Sequence, residues 1–376
     1  MNRFFNFAPV PPIPAGLYHT QSGPEVHPPY RIHLRLQPDG SGVLIVNAST
    51  VLHLNPTAAE CAYHFIKGTA ANAAAAEIAA RYRVNRVTAL RDFQAFASRI
   101  ETLASTPDLD PVSVLDFDRV SPHASDLTAP LRLDCALTYR LPAGTQAQYA
   151  ATRRVDRELG TDEWSAILDK AWQAGIPHVT FTGGEATLRD DLVALVAHAE
   201  ATGQVCGLLT DGLRLADKKY RDQLLQAGLD HVLLMLQPTR PESWAAVQAI
   251  LAEDIFVTVH LTVNADNESR VASHLQRLAS LGTKSLSLTF AEKLATGSDL
   301  QDTAASLGLA LKHDLPVPYS SDNPVARETQ VDHVPSGAGR AWLYVEPDGD
   351  VLPAQGMSNT VLGNFLRDPW ERIFRH

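Results

Sequence analysis

Leu131-Arg132-Leu133-Asp134-Cys135-Ala136-Leu137-Thr138-Tyr139-Arg140 is an apolar, strand-like run that breaks into a looser segment, Leu141-Pro142-Ala143-Gly144-Thr145-Gln146-Ala147-Gln148-Tyr149. Five more runs of the same kind follow, at 178–182, 205–210, 231–236, 255–263 and 285–290. Helical stretches lie between them. Trp164, Ile167, Leu168, Ala171 and Trp172 recur at helical spacing and form one apolar stripe, and Leu192, Leu195, Val196 and Ala199 form another. Strands that are apolar almost throughout, alternating with one-sided helices, predict parallel β/α units buried on both faces. Six units over 131–315 predict a partial (β/α)6 TIM-like barrel, since a full one needs eight. The fold class is α/β.

Working outward, residues 106–130 carry Pro107, Pro111, Pro122, Pro130 and five aspartates, which is linker composition. Before it, 29–105 has its own grammar. Arg31-Ile32-His33-Leu34-Arg35-Leu36 alternates strictly, Pro38-Asp39-Gly40 turns, and Gly42–Val46 and 51–54 are two further short strands. Asn55-Pro56-Thr57 opens a helix in which Thr57 is a candidate cap and Gly68 the stop; helical stretches at about 70–82 and 86–103 complete the unit. Residues 1–28, with six prolines and no period, read as an extended tail. At the other end, 316–376 is rich in proline and glycine around one hairpin, 342–352, and reads as a small C-terminal extension.

Composition narrows the function. The 376 residues are 45% hydrophobic, enough for real cores, and 32 Lys+Arg against 42 Asp+Glu leave a net charge of −10 without a basic run. Phosphate neutralisation needs clustered cations, so no nucleic-acid partner is expected. No run approaches a spanning helix and the N-terminus lacks a signal-peptide core, so a cytoplasmic protein with no membrane partner is expected. The cysteines, Cys61, Cys135 and Cys206, are far apart and form no Cys-x-x-Cys. None of the fourteen histidines forms His-x-x-x-His, and no serine sits in Gly-x-Ser-x-Gly.

In parallel β/α folds chemistry gathers where strands end. The second strand ends in Thr182-Gly183-Gly184-Glu185 and the third in Thr210-Asp211-Gly212. The paired glycines let a ligand approach the backbone, and the Glu185 carboxylate can pair with an ammonium group. Taken alone, the tripeptide also fits an ordinary turn with an acid at a helix start.

These motifs together resemble the radical S-adenosylmethionine (SAM) superfamily. Its first strand often reads Leu-Thr-Tyr-Arg, as at 137–140, and its Gly-Gly-Glu motif matches Gly183, Gly184 and Glu185, although the proline that usually follows is Ala186. Asp211 stands in a segment that resembles the family's Thr-Asn-Gly. The resemblance implies that Gly183, Gly184 and Glu185 hold the amino group of SAM, with Tyr149 near adenine and Asp211 on the same rim. It also implies a Cys-x3-Cys-x2-Cys cluster motif, and those positions hold Leu141, Thr145 and Gln148. The stretch 343–353 is similar to a SPASM or Twitch extension, whose flanking cysteines fall at Ser336 and Ala354 here. Residues 29–105 are similar to the winged, PqqD-like modules that bind leader peptides.

A site-differentiated iron–sulfur cluster needs three thiolates, and leucine, threonine and glutamine do not replace them. No iron–sulfur cluster, no metal site and no catalytic residue are therefore expected. The leading expectation is a cluster-less pseudoenzyme that binds a leader or substrate peptide at 29–105, beside an active paralogue, with at most weak SAM binding. Two alternatives stand: an enzyme keeping SAM or another small molecule for non-radical chemistry, and a radical enzyme with unusual ligands.

Overall fold

The computed structural model describes residues 11–23, 25–26, 30–46, 50–106, 127, 129–143, 154–290, 297–311, 337–355, 357 and 359–374. The chain divides into two compact units, Met1–Thr128 and Ala129–His376.

In the first unit, β1 (Gly16–Gln21), β2 (Arg31–Leu36), β3 (Gly42–Val46) and β4 (Thr50–Leu54) form an antiparallel sheet in the order β1-β2-β3-β4. The sequence predicts three of these. The fourth, β1, lies in the proline-rich stretch expected to be a tail; it has no clean apolar alternation and is held by its full six-residue pairing to β2 and by Tyr18, which meets the edge of Tyr63. Alternation then builds the core: Ile32, Leu34, Leu36, Leu44, Val46, Leu52 and Leu54 face Ala59, Ala62, Ile66, Ile100 and Leu103 of the helices α1 (Pro56–Ile66) and α3 (Arg86–Ser105). A second cluster, including Cys61, Ala74, Ile78 and Phe93, joins α2 (Ala71–Tyr82) to its neighbours. The cap of α1 is Asn55, which accepts from the Ala58 N–H at 2.9 Å, and not Thr57. Pro56 explains the difference: its fixed φ and missing N–H suit the first helical position, which leaves the cap to the residue before it.

The second unit is built on one sheet in the order β11-β10-β9-β8-β7-β6-β5-β12-β13-β14. The six predicted strands are consecutive in it: β5 (Arg132–Thr138), β6 (His178–Gly183), β7 (Val205–Thr210), β8 (His231–Met235), β9 (Phe256–Val263) and β10 (Ser285–Phe290). All pair in parallel, as burial on both faces requires. Two further strands extend the parallel run, which sequence reading did not foresee: the two-residue β11 (Ala310–Leu311) beside β10, and β12 (Trp342–Val345) beside β5. The first is too short to carry a period. The second belongs to the C-terminal hairpin, where β12 turns into β13 (Asp350–Leu352) and then β14 (Gly363–Asn364), both antiparallel. The sheet ends at β11 and β14 and so stays open. Helices α4 (Thr161–Gln173), α5 (Leu192–Thr202), α6 (Lys218–Gln226), α7 (Pro241–Leu251) and α8 (Val271–Ser280) cover its outer face, burying Trp164, Ile167, Leu168 and Ala171 and Leu192, Leu195, Val196 and Ala199 as their stripes predict. Among the described residues no helix is long and apolar enough to cross a membrane.

Candidate functional site

Past the end of β6 the chain stays bonded to β5. Gly184 N–H donates to the Thr138 carbonyl at 2.6 Å and Glu185 N–H to the Arg140 carbonyl at 2.8 Å. Gly183 has φ +129°, and a Cβ there would lie 2.1 Å from the Thr138 oxygen; a Cβ on Gly184 would lie 2.3 Å from the Arg140 oxygen. Glycine is required at both places by the close passage of two strands of the same chain. That requirement holds whether or not a ligand also approaches them.

This ladder aims Glu185 inward, where it is 2% exposed. One carboxylate oxygen accepts from Thr187 N–H at 2.9 Å, Thr187 Oγ1 at 2.6 Å and Thr210 Oγ1 at 2.8 Å, and the other from Asp211 N–H at 2.7 Å. Burial, and then the neighbouring Asp211, push its pKa up to about 7 against the pull of these donors. Asp211 is also raised, chiefly by burial. One of its oxygens caps Leu213 N–H at 2.9 Å; the other, Oδ2, is buried with no partner of hydrogen-bond geometry among the described residues, and the Glu185 carboxyl close by pulls the Asp211 pKa down. Glu185 and Asp211, separated by 26 residues in the chain, are thus brought into contact at the ends of neighbouring strands. Thr187 was not foreseen; its only signal is a hydroxyl two residues after an acid at the start of a turn.

The loop that begins at Leu141 leaves β5 from a tied-down end. Tyr139 Oη donates to Glu346 at 2.9 Å and lies 3.3 Å from Tyr344 Oη, while Arg154 bonds both Glu346 and, at 2.9 Å, Asp350. Leu159 N–H donates to the Pro347 carbonyl at 2.7 Å, so both flanks of the loop are anchored to the C-terminal hairpin. Leu141 is half-buried and Ala354 is buried. Tyr149, Thr145, Gln148 and Ser336 lie outside the described residues. Cys135 and Cys206 are fully buried in β5 and β7, and burial drives the Cys135 thiol well above its ordinary pKa, so it stays protonated. Among the described residues no three His, Cys, Asp or Glu side chains are grouped to hold a metal ion. Leu141 has no donor atom, so the loop does not fit a three-thiolate cluster; the Glu185 and Asp211 acids, with one oxygen unpartnered, do fit a ligand bearing an ammonium group.

Residues 143–290 match the family model of the radical SAM superfamily. The PqqA peptide cyclase of Streptomyces rochei is 28% identical over 285 residues, covering 65% of this chain and 76% of that protein. The PqqA peptide cyclase of Xanthomonas campestris pv. campestris is 26% identical over 259 residues, covering 61% and 68%. Among solved structures, Streptococcus suis SuiB bound to its precursor peptide SuiA superposes with a TM-score of 0.60 at 14% identity, covering 92% of this chain and 87% of that one. SuiB bound to S-adenosylmethionine gives 0.58 at 15% identity, covering 90% and 85%. The chain has the radical SAM fold, with an N-terminal antiparallel sheet preceding the partial barrel, and it is similar in sequence to the PqqA peptide cyclases.

Proposed function

We propose that this radical SAM superfamily member is a cluster-less pseudoenzyme that binds a precursor peptide through its first unit. The observation that carries this reading is Leu141. The Gly-Gly-Glu segment is bonded to Thr138 and Arg140, which supports reading the residues after Arg140 by the family's spacing, and on that reading the position that would supply the first cluster thiolate holds a hydrocarbon side chain. Thr145 and Gln148 stand at the other two positions and Ser336 and Ala354 at the auxiliary ones. Losing every cluster ligand while the strands, glycines and hairpin persist is what release from redox chemistry with retained binding leaves behind.

The peptide would add to β4, which lies at the sheet edge with its far side unpaired to any strand of that sheet, next to α1. Main-chain hydrogen bonds supply affinity in that mode, and pockets for alternate side chains supply selectivity. The peptide-acting names of the relatives, PqqA peptide cyclase and SuiB with SuiA, support the same partner class. A cytoplasmic setting and an active paralogue as second partner belong to this reading.

A second reading, an enzyme with non-radical chemistry on a retained SAM or other small molecule, is favoured by the unpartnered Asp211 oxygen. SAM bound there would supply an activated alkyl group; Glu185 and Asp211 would hold its amino end, and nothing in the described loop would bind iron.

The test is anaerobic reconstitution with iron and sulfide, followed by iron analysis, alongside titration of the peptides encoded next to the gene. The expected protein carries no cluster and gains amide-exchange protection in β4 with one of those peptides. A stoichiometric four-iron cluster in the unmutated chain would overturn the pseudoenzyme reading.

A further inference from the structure

At the end of the barrel away from Glu185, two imidazoles meet. His178 and His231 are the first residues of β6 and β8, and their Nε2 atoms lie 2.7 Å apart with the rings edge to face at 71°. Val179, Phe181, Val232 and Leu234 pack into the core under the helices, so the two histidines, in the alternate row of the same strands, point into the barrel. β7 lies between the two strands, and its residue beside His231 is Gly207, where a Cβ would fall 2.2 Å from His231 Cε1 and 2.4 Å from Nε2. Glycine inside a strand is unfavourable and marks a place where another group comes close. Here that group is the His231 ring, laid across β7 toward His178.

The chemistry of the pair follows from this contact. Two ring nitrogens at that distance share one proton: one is N–H and the other offers its lone pair. Both residues are half-buried, so the pair also reaches solvent. Arg132 stands beside His178 in the strand register, but Asp134 holds its guanidinium with Nε at 2.7 Å from Oδ1 and Nη2 at 3.1 Å from Oδ2, so its positive charge is paired. Imidazole nitrogen suits zinc and copper ions. Around a tetrahedral ion with metal–nitrogen bonds of about 2.0–2.1 Å the two nitrogens stand about 3.3 Å apart, so a slight turn of two rings at strand ends opens the pair far enough. Among the described residues no third His, Cys, Asp or Glu joins them, so water would fill the remaining positions.

We propose that His178 and His231 form a two-histidine site for a divalent transition-metal ion of the zinc and copper class at the floor of the barrel. Both Nε2 lone pairs go to the ion, and the imidazole that donates in its absence keeps its proton by moving it to Nδ1, so neither ring changes charge. The site stands apart from the Glu185 rim and from the peptide reading. No spacing signals it, since the two residues are 53 apart in the chain. A bound ion ties β6 to β8 across β7, so loading should raise the melting temperature.

The test is equilibrium dialysis of the full chain, without an affinity tag, against zinc(II), copper(II) and magnesium(II), with the copper-loaded protein read by electron paramagnetic resonance. The unmutated protein should bind zinc with one ion per chain at this site, copper more tightly as the Irving–Williams order requires, and no magnesium, which prefers oxygen ligands. The copper spectrum should show coupling to two imidazole nitrogens, and copper should broaden the Gly207 amide resonance before others, which places the ion without any substitution. His178→Gln and His231→Gln should each weaken zinc binding by about tenfold or more, at least what the loss of an outer-shell partner costs, and should abolish the thermal stabilisation by zinc. Absence of stoichiometric zinc, coupling to fewer than two nitrogens, broadening centred elsewhere, or zinc binding unchanged in either variant would overturn the proposal. The nitrogen count and the broadening are read on the unmutated protein, so they decide even where a variant fails to fold.

Discussion

Single residues at the rim do two jobs that sequence inspection conflates. Gly183 and Gly184 carry the family motif, yet the space that a side chain would fill is already occupied by Thr138 and Arg140 backbone oxygens. Gly184→Ala should therefore cost about 2–3 kcal/mol through overpacking, read as a lower urea midpoint with an unchanged slope, whether or not ligand is present. His260 illustrates a residue whose role no spacing signals. It is 0% exposed inside the barrel, with Ser287 Oγ at 3.0 Å from Nδ1 and Thr289 Oγ1 at 3.1 Å from Nε2, and burial lowers its pKa to about 3. The unfolded chain takes up this proton below about pH 6.5 and the folded one does not until about pH 3, so the imidazole's contribution is intact above 6.5 and is lost as pH falls. Between pH 7 and pH 5 the unmutated protein should lose about 2 kcal/mol more unfolding free energy than His260→Gln. Equal losses would mean that the folded protein admits the proton.

At the scale of elements, the C-terminal hairpin acts as a clamp on the first β/α unit. Glu346 is 2% exposed, and burial raises its pKa even though Tyr139 and Arg154 both bond it. Lys170 of α4 reaches the Phe365 and Asp368 carbonyls from the other side. Removing the buried acid leaves a guanidinium and a phenol without their partner, so Glu346→Ala should cost about 3 kcal/mol and speed amide exchange in β12 and β13 before any other strand. Uniform acceleration across the sheet would argue against a local clamp. The hairpin itself was readable, since Pro347-Asp348-Gly349 is a turn between alternating runs. Its parallel docking on β5 was not, because edge pairing between segments some 200 residues apart leaves no local period. β1 was hidden for a similar reason: none of its six residues is fully buried, and its partner strand is what makes it a strand.

At the scale of the whole molecule, the first unit has two apolar clusters of its own, one between sheet and helices and one among the helices. The fragment Met1–Thr128 should accordingly fold alone, with a single urea transition and modest stability; a fragment with no cooperative transition would show that its cores depend on the second unit. The six parallel strands and the closeness of Glu185 and Asp211 were legible in the sequence, because periodicity records which face is buried and strand ends in a parallel sheet converge on one rim. That Leu141, Thr145 and Gln148 carry no thiol was legible too, since residue identity alone decides whether a donor atom exists. What only the tertiary structure decided is how the rim's polar atoms are shared out. Whether a glycine yields space to a ligand or to a neighbouring strand, and which of two carboxylates is saturated and which has an oxygen left over, depends on distances between segments far apart in the chain. Those distances are set by the packing of the barrel as a whole, which no local pattern encodes.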